Sequence, residues 1–194
     1  MKPLPPAEDT PSEKVCRFSF WHILMLDNPV RRFFQNPEKI LDGRIQPGMT
    51  AIDIGCGPGN FTRAMAAMAG EGGRVLAIDL QEEMLRYAQD KCGKDSSGAR
   101  ITWHQCRPDS LGISIKADFA LSMYMVHEVP DQERLYHEIF QCLRSGGKYL
   151  VVEPIIHVTE EAFTSSLDVA TRAGFRIRER PSFPLSQAVV LEKP

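Results

Sequence analysis

Hydrophobic positions fall into two kinds of pattern that alternate along the chain from residue 49 onward. Short apolar runs of strand length occupy residues 49–54, 74–80, 101–105, 118–125 and 149–152. The other segments repeat apolar residues at helical spacing. Three of them predict helices over residues 60–69, 81–91 and 160–173. A fourth predicted helix is capped by Asp131 and ends at Ser145-Gly146-Gly147. Because parallel strands need crossover connections of this kind, the alternation predicts an α/β fold with a mostly parallel sheet.

The two ends of the chain follow other patterns. Residues 1–13 hold four prolines and are interpreted as a loose leader, and the apolar and aromatic residues of 14–41 favour two short helices. Residues 175–180 and 188–191 predict a β-hairpin or a pair of strands at the sheet edge. We therefore expect a leader and helical cover over residues 1–48 and a folded core over residues 49–194.

Composition and charge narrow the class of protein. Hydrophobic residues make up 43% of the 194 residues and charged residues 25%, which is typical of a soluble protein with a core. The net charge of −2 disfavours a nucleic-acid partner, because nucleic-acid-binding surfaces are strongly basic. No apolar run approaches the ~18 residues of a membrane helix, and the five cysteines form no Cys-x-x-Cys pair. We expect a cytoplasmic protein with no membrane partner and no metal site.

The most informative segment is the glycine-rich turn that follows the first predicted strand, Asp53-Ile-Gly-Cys-Gly-Pro-Gly59. Its glycines, Gly55, Gly57 and Gly59, let the backbone approach a ligand closely and adopt torsion angles that a Cβ forbids. Asp79 ends the second strand, where a carboxylate accepts hydrogen bonds from a ribose diol. The alternative is purely structural, with the glycines needed only for the turn and Asp79 for capping the next helix.

The spacing and charge of the turn indicate which nucleotide it suits. A dinucleotide-binding turn has the pattern Gly-x-Gly-x-x-Gly, which would place its third glycine where this chain has Asn60. The acidic Asp53 opposes a pyrophosphate but attracts an ammonium or sulfonium group. The turn therefore favours a positively charged nucleoside over NAD, and a dinucleotide-dependent oxidoreductase is disfavoured.

The turn resembles the nucleoside-binding signature of the class I S-adenosylmethionine-dependent methyltransferases. Residues 117–124 and 143–150 are similar to the family's fourth-strand motif and its helix–turn–fifth-strand motif, so the resemblance covers about residues 49–191. It implies a Rossmann-like three-layer sandwich with a mostly parallel sheet of roughly seven strands, and S-adenosylmethionine as cofactor. The cofactor-binding residues that it implies are Asp53, Ile54, Gly55, Cys56, Gly57, Gly59, Asn60, Asp79, Leu80, Met84, Ser122 and Met123.

The resemblance also implies roles within this set. Asp53 would face the methionine amino group through water, and Asp79 would hold the ribose hydroxyls with Leu80 beside the adenine. Ser122 and Met123 would lie under the sulfonium end of the cofactor.

One departure from the family pattern concerns the adenine. The family often has Gly-Asp-Ala after the third strand, where this chain has Cys106-Arg107-Pro108. An arginine cannot accept a hydrogen bond from the adenine amino group. Adenine recognition would then use a backbone carbonyl, Gln105 or Asp109.

Three residues after the fourth strand are catalytic candidates, because the resemblance puts Tyr124, His127 and Glu128 at the methyl end of the cofactor. A base is needed only if the acceptor carries a proton. His127 is the best candidate, since the unperturbed pKa of an imidazole lies near ~6.5. In the alternative interpretation His127 orders the loop and Glu128 is a solvated charge at the start of a helix.

The acceptor is expected to be a small, fairly apolar or flat molecule. The chain lacks the Asn/Asp-Pro-Pro-Tyr sequence of the members that methylate adenine or glutamine amides, and it has no insertion long enough for a substrate domain. The aromatic N-terminal stretch resembles the helical cover of small-molecule methyltransferases: Phe18, Phe20, Trp21, His22, Phe33 and Phe34. We expect a monomer or homodimer. The alternatives are a methyltransferase that acts on RNA or protein and a non-catalytic S-adenosylmethionine-binding protein.

Overall fold

The computed structural model describes residues 35–93 and 98–194. The predicted apolar runs form the strands β1 (Thr50–Ile54), β2 (Arg74–Asp79), β3 (Arg100–Gln105), β4 (Ala117–Met123) and β5 (Leu143–Pro154). The helices are α1 (Pro37–Leu41), α2 (Asn60–Ala69), α3 (Glu82–Cys92), α4 (Gln132–Cys142) and α5 (Glu160–Arg172), with a 3-10 turn at Val126–Glu128 before α4. The strands β6 (Arg176–Glu179) and β7 (Ser186–Glu192) follow α5.

The strands form one seven-stranded sheet in the order β3-β2-β1-β4-β5-β7-β6. Strands β1 to β5 pair in parallel, whereas β7 is antiparallel to both β5 and β6. This confirms the predicted α/β fold with a mostly parallel sheet, and the last two strands form an antiparallel pair at the sheet edge. The chain proceeds from β1 to one side of the sheet and from β4 to the other, which opens a crevice at the carboxyl ends of these strands.

Helices cover both faces of the sheet and make three layers. Alternate residues of each strand point to opposite faces. On one face, Ala51 and Leu121 pack with α1 and α2, and Ala77 packs with Leu85 of α3. On the other face, Ile52 and Ile78 pack with residues of α4 and α5: Leu135, Tyr136, Ile139, Phe163 and Leu167. None of the described helices combines the length and the apolar character needed to cross a membrane.

The helix starts have local causes. Asp131 caps α4 as predicted, because its side chain accepts a hydrogen bond from the backbone N–H of Arg134 at 2.9 Å. Asn36 caps α1. This helix lies in residues 35–48, the part of the expected N-terminal cover that the structure describes. The rest of that cover lies outside the described residues, including Phe18, Phe20, Trp21, His22, Phe33 and Phe34.

Two of the element boundaries that differ from the prediction have causes in the backbone. Strand β4 ends at Met123 because Tyr124 has a φ of 61°, which turns the backbone out of the extended region. Helix α4 ends at Cys142, and β5 begins at once because Leu143 pairs with Ala117 across a bulge. The Gly146-Gly147 stretch, predicted to end the helix, instead hydrogen-bonds to the backbone of Lys193.

Candidate functional site

A cavity of about 640 Å³ opens at the carboxyl ends of the parallel strands. Its volume falls within the range of ordinary small-molecule sites. Its lining brings together most of the residues predicted from the sequence: Asp53, Ile54, Gly55, Cys56, Gly57, Asn60, Asp79, Leu80, Met84, Met123, Tyr124, His127 and Glu128. The glycine-rich turn and the residues after β4, which are far apart in the sequence, thus face one space.

Gly59 and Ser122 are the predicted site residues that lie outside this lining. Gly59 has a φ of 77°, and a Cβ there would lie 2.9 Å from the sulfur of Cys92, so glycine is needed where α2 starts against α3. Ser122 is fully buried, and its hydroxyl accepts a hydrogen bond from the hydroxyl of Tyr149 at 2.8 Å. In the structure both residues serve packing around the cavity.

Backbone hydrogen bonds fix the glycine-rich turn against the end of β2. The N–H groups of Gly55 and Cys56 both donate to the carbonyl of Ile78, at 2.9 and 2.8 Å. Gly55 has a φ of 70°, and a Cβ there would lie 2.9 Å from Cγ of Met125. At Gly57, where φ is 51°, the position of a Cβ is open. The turn therefore presents bare backbone beside Gly57 to the cavity.

The carboxylate of Asp79 is joined to the same turn. One oxygen accepts from the N–H of Gly57 and the other from the N–H of Gln81, each at 3.0 Å. A carboxylate has about four acceptor positions, so these bonds leave acceptor capacity for two hydroxyl groups. Burial raises the pKa of Asp79, and its backbone hydrogen bonds oppose that shift. This arrangement fits the neighbouring hydroxyls of a ribose.

Asp53 lies below the turn and is only 1% exposed. Its carboxyl accepts a hydrogen bond from the hydroxyl of Thr62 on α2. Burial raises the pKa of Asp53 to about 7, against the lowering effect of the Thr62 hydrogen bond and with a further raising effect from the charge of Asp79. A positive group in the cavity would favour the ionised form of Asp53, so the site fits a cationic nucleoside.

The catalytic candidates Tyr124, His127 and Glu128 line the same cavity. The backbone N–H of Tyr124 donates to the carbonyl of Val152 at 2.8 Å, and its hydroxyl is 2.6 Å from that of Ser186. Nδ1 of His127 is hydrogen-bonded to the carboxylate of Glu153. Burial is the main cause that raises the pKa of Glu128. Tyr124 and His127 are therefore held by hydrogen bonds to residues of β5 and β7, which lie outside the loop that carries them.

The sequence reasoning missed several contributors to this part of the site. Glu153 is 2% exposed and directly follows the apolar run of β5, so a carboxylate at the carboxyl end of the fifth strand was the available signal. His157 lines the cavity after β5. Of the two side chains considered for the adenine, Asp109 lines the cavity. The side-chain amide of Gln105 instead donates to the carbonyl of Leu80 at 3.2 Å.

Comparison with protein families identifies a methyltransferase domain in this chain. Residues 51–147 match the family described as a methyltransferase domain. This match runs from β1 into β5 and includes the glycine-rich turn, Asp79 and the loop after β4.

Curated relatives agree with that match. The ubiquinone/menaquinone biosynthesis C-methyltransferase UbiE of Enterobacter sp. (strain 638) is 26% identical over 135 residues, which cover 67% of this chain and 54% of the relative. The chain therefore spans about half the length of the curated relatives that it matches.

Two solved structures share the fold. A SAM-dependent methyltransferase from Aquifex aeolicus aligns with a TM-score of 0.79 and 23% identity, over 92% of this chain and 100% of that one. Fibrillarin from Aeropyrum pernix, in complex with natively bound S-adenosyl-L-methionine, aligns with a TM-score of 0.59 and 14% identity, over 75% of this chain and 67% of that one.

Proposed function

Because the chain belongs to the methyltransferase domain family, as a class I S-adenosylmethionine-dependent methyltransferase, we propose that it transfers a methyl group from S-adenosylmethionine to a small-molecule acceptor. The observation that carries this proposal is the junction of Asp79 with the glycine-rich turn, since it presents a carboxylate with spare acceptor capacity beside bare backbone. The cavity next to it is large enough for a nucleoside and a second small molecule.

The residues of the turn and of β2 form the proposed cofactor end. S-adenosylmethionine supplies an activated methyl group on a positively charged sulfur. Asp79 accepts hydrogen bonds from the ribose hydroxyls, and Asp53 favours the positive charges of the cofactor. Leu80 and Met84 line the side where the adenine is expected, with Asp109 as acceptor for its amino group.

The residues after β4 form the proposed acceptor end. Tyr124, His127 and Glu128 line the cavity, together with Met123. Alignment of an acceptor with the methyl group is the main contribution of such a site and is worth up to about 7–11 kcal/mol. His127 takes the proton of the acceptor where the acceptor carries one.

Two observations support a small acceptor. The curated relatives are named for the biosynthesis of ubiquinone and menaquinone and not for a nucleic acid or a protein. The net charge of −2 does not suit a polyanionic acceptor such as RNA.

Cofactor binding is tested at Asp79. We expect Asp79→Asn to weaken the affinity for S-adenosylmethionine by about tenfold to a hundredfold, because it removes hydrogen bonds to a charged acceptor. Isothermal titration calorimetry of the unmodified protein and the variant measures this. Asp90→Asn, an exposed change of the same kind on α3, is the matched control and should keep the original affinity. Equal affinity in Asp79→Asn would contradict the ribose assignment.

Methyl transfer is tested by the release of S-adenosylhomocysteine with separate panels of phenolic and quinol small molecules, RNA and proteins. We expect release with the small molecules. Turnover with RNA or protein alone would identify a macromolecular acceptor instead. Binding of the cofactor without release in any panel would favour a non-catalytic binding protein.

A further inference from the structure

A buried carboxylate at the end of β5 has no role in the proposed function so far. Glu153 is 2% exposed, and burial of an ionised group is costly unless the group is hydrogen-bonded. One of its oxygens accepts from the backbone N–H of Val126 at 2.9 Å, and the other is hydrogen-bonded to Nδ1 of His127. Glu153 thus connects the core strand to the loop that carries the candidate base.

Strand pairing holds Glu153 in place from the far side. Glu153 pairs with Gln187 and Pro154 with Ser186 in the antiparallel ladder between β5 and β7. The hydroxyl of Ser186 is in turn bonded to that of Tyr124. The carboxylate therefore has a fixed position relative to His127. A fixed partner is needed to set the orientation and the protonated nitrogen of an imidazole.

The hydrogen bond between the two side chains determines where the imidazole proton lies. An ionised carboxylate only accepts, so Nδ1 of His127 must carry the hydrogen of this bond. In a neutral imidazole the other nitrogen, Nε2, then has the free lone pair. The side chain of His127 is 25% exposed and lines the cavity, so the ring is accessible to a bound acceptor.

We propose that Glu153 is the positioning residue for His127, which it holds with Nδ1 protonated so that Nε2 takes the proton of an acceptor X–H. The inference rests on the proposed function, because the acceptor supplies the proton. In this step the X–H bond breaks, its electron pair stays on X, and the proton forms a bond to Nε2. The resulting imidazolium is stabilised by the Glu153 carboxylate until the proton returns to water. The acceptor class that this step implies is a weak acid, such as a phenol or an enol.

Other groups around His127 agree with this role. The ring of His157 stacks on that of His127 with centroids 6.3 Å apart and an interplanar angle of 12°. The hydrogen bond that His127 donates to Glu153 is the main cause that raises the pKa of His127, against the lowering effect of burial, and the charges of Glu153 and Glu128 add to it. His127 is thereby a stronger base than free histidine.

The first test uses Glu153→Gln in the protein without cofactor, read by ¹⁵N NMR of the histidine rings. The oxygen of the introduced side-chain amide can still accept from Val126, which leaves the NH₂ of that amide to donate to Nδ1 of His127. We expect the pKa of His127 to fall and its neutral form to switch to the tautomer with hydrogen on Nε2. The spectrum of His127→Gln assigns the signals among the five histidines.

Glu160→Gln is the matched control, because it makes the same charge change at an exposed position of α5. It should leave the pKa and the tautomer of His127 unchanged. An unchanged pKa and tautomer in Glu153→Gln would overturn the proposal. If Glu153→Gln does not fold, the unmodified protein decides: a neutral His127 with its hydrogen on Nε2 overturns the proposal, and one with its hydrogen on Nδ1 supports it.

The second test is the pH profile of kcat with an acceptor that the panels identify. A base must be neutral to act, so the unmodified protein gains activity as pH rises through the raised pKa of His127. In Glu153→Gln we expect kcat at pH 8 to fall by ~10-fold or more and the acid limb to move to lower pH, with cofactor affinity unchanged. If Glu153 only stabilises the fold, the Glu153→Gln substitution would lower kcat without moving the acid limb of the pH profile. That result would overturn the proposal.

The NMR and kinetic tests distinguish a failure of the proposed function from a failure of the positioning role of Glu153. An absence of methyl transfer with every panel contradicts the proposed function, whereas the tautomer measurement needs no cofactor or acceptor. A transferring enzyme whose pH profile has no acid limb from His127 contradicts the positioning role alone.

Discussion

Three buried or partly buried carboxylates near the cavity differ in their hydrogen-bond partners. Asp79 accepts hydrogen bonds from two backbone N–H groups, and Glu153 accepts one from a backbone N–H and is hydrogen-bonded to an imidazole. Asp53 accepts hydrogen bonds from the hydroxyl and the backbone of Thr62. Burial of Asp53 outweighs its hydrogen bonds with Thr62, and its pKa is accordingly raised to about 7. The protonation of Asp53 therefore responds near neutral pH to a cation beside it.

This leads to a prediction on the pH dependence of cofactor affinity. The pKa of Asp53 is about 7 in the protein without ligand, and a bound cation lowers it. At a pH between these two pKa values, binding of the cofactor therefore releases a proton from Asp53. We expect the affinity for S-adenosylmethionine to rise between pH 5.5 and 7, by at most about tenfold per pH unit. Isothermal titration calorimetry across this range measures the effect.

Asp53→Asn is the control for this prediction. Thr62 can still donate to the side-chain oxygen of the introduced amide, but the group no longer titrates. The variant should lose most of the pH dependence, with its remainder due to Asp79, whose pKa is also raised. Equal slopes for the unmodified protein and Asp53→Asn would show that Asp53 does not sense the cofactor.

At the scale of elements, the end of α4 depends on a residue distant in sequence. Helices leave their last carbonyls without internal partners. Here Nζ of Lys193 donates to the carbonyls of Phe140 and Leu143, at 2.7 and 3.0 Å, and lies 4.5 Å from the centroid of the Phe140 ring. Lys193 therefore joins the end of α4 to the residues that follow β7.

We expect Lys193→Met to lower the free energy of unfolding by about 1–3 kcal/mol, because two partly buried carbonyls lose a charged donor while the apolar stem is kept. Chemical denaturation followed by circular dichroism measures this. Lys148→Met, at an exposed position of β5, is the matched control and should change stability by less than about 0.5 kcal/mol. Equal losses in the two variants would contradict a capping role for Lys193.

The elements also show which features the sequence can predict. The glycine-rich turn, Asp79 and the Asp131 cap are set by neighbours within a few residues or by the end of a strand, so local patterns indicate them. The early end of α4 depends on the pairing of Leu143 with Ala117 and on Lys193, which local patterns do not contain. The pair of Glu153 and His127 joins residues 26 positions apart and follows only from the register of β4 against β5.

At the scale of the whole molecule, charge is nearly balanced and locally paired. The net charge is −2, and arginines of the described surface form ion pairs with nearby acids: Arg86 with Glu82, Arg134 with Glu138, Arg144 with Asp118 and Arg178 with Glu192. Such pairing weakens the long-range field that draws polyanions to a surface. The balance bears on the choice between a small acceptor and RNA.

The salt dependence of turnover tests this choice. We expect kcat/KM for a small neutral acceptor to change by less than about threefold between 50 and 200 mM KCl, since exposed charges are already screened over about 10 Å. An RNA acceptor that contacts about six to ten phosphates would lose affinity by about 10³-fold or more over the same range, because counterion release drives its binding. Measurement of S-adenosylhomocysteine release at both salt concentrations distinguishes the two. A steep loss with the small acceptor would mean that charge steers its binding, against the balanced surface described above.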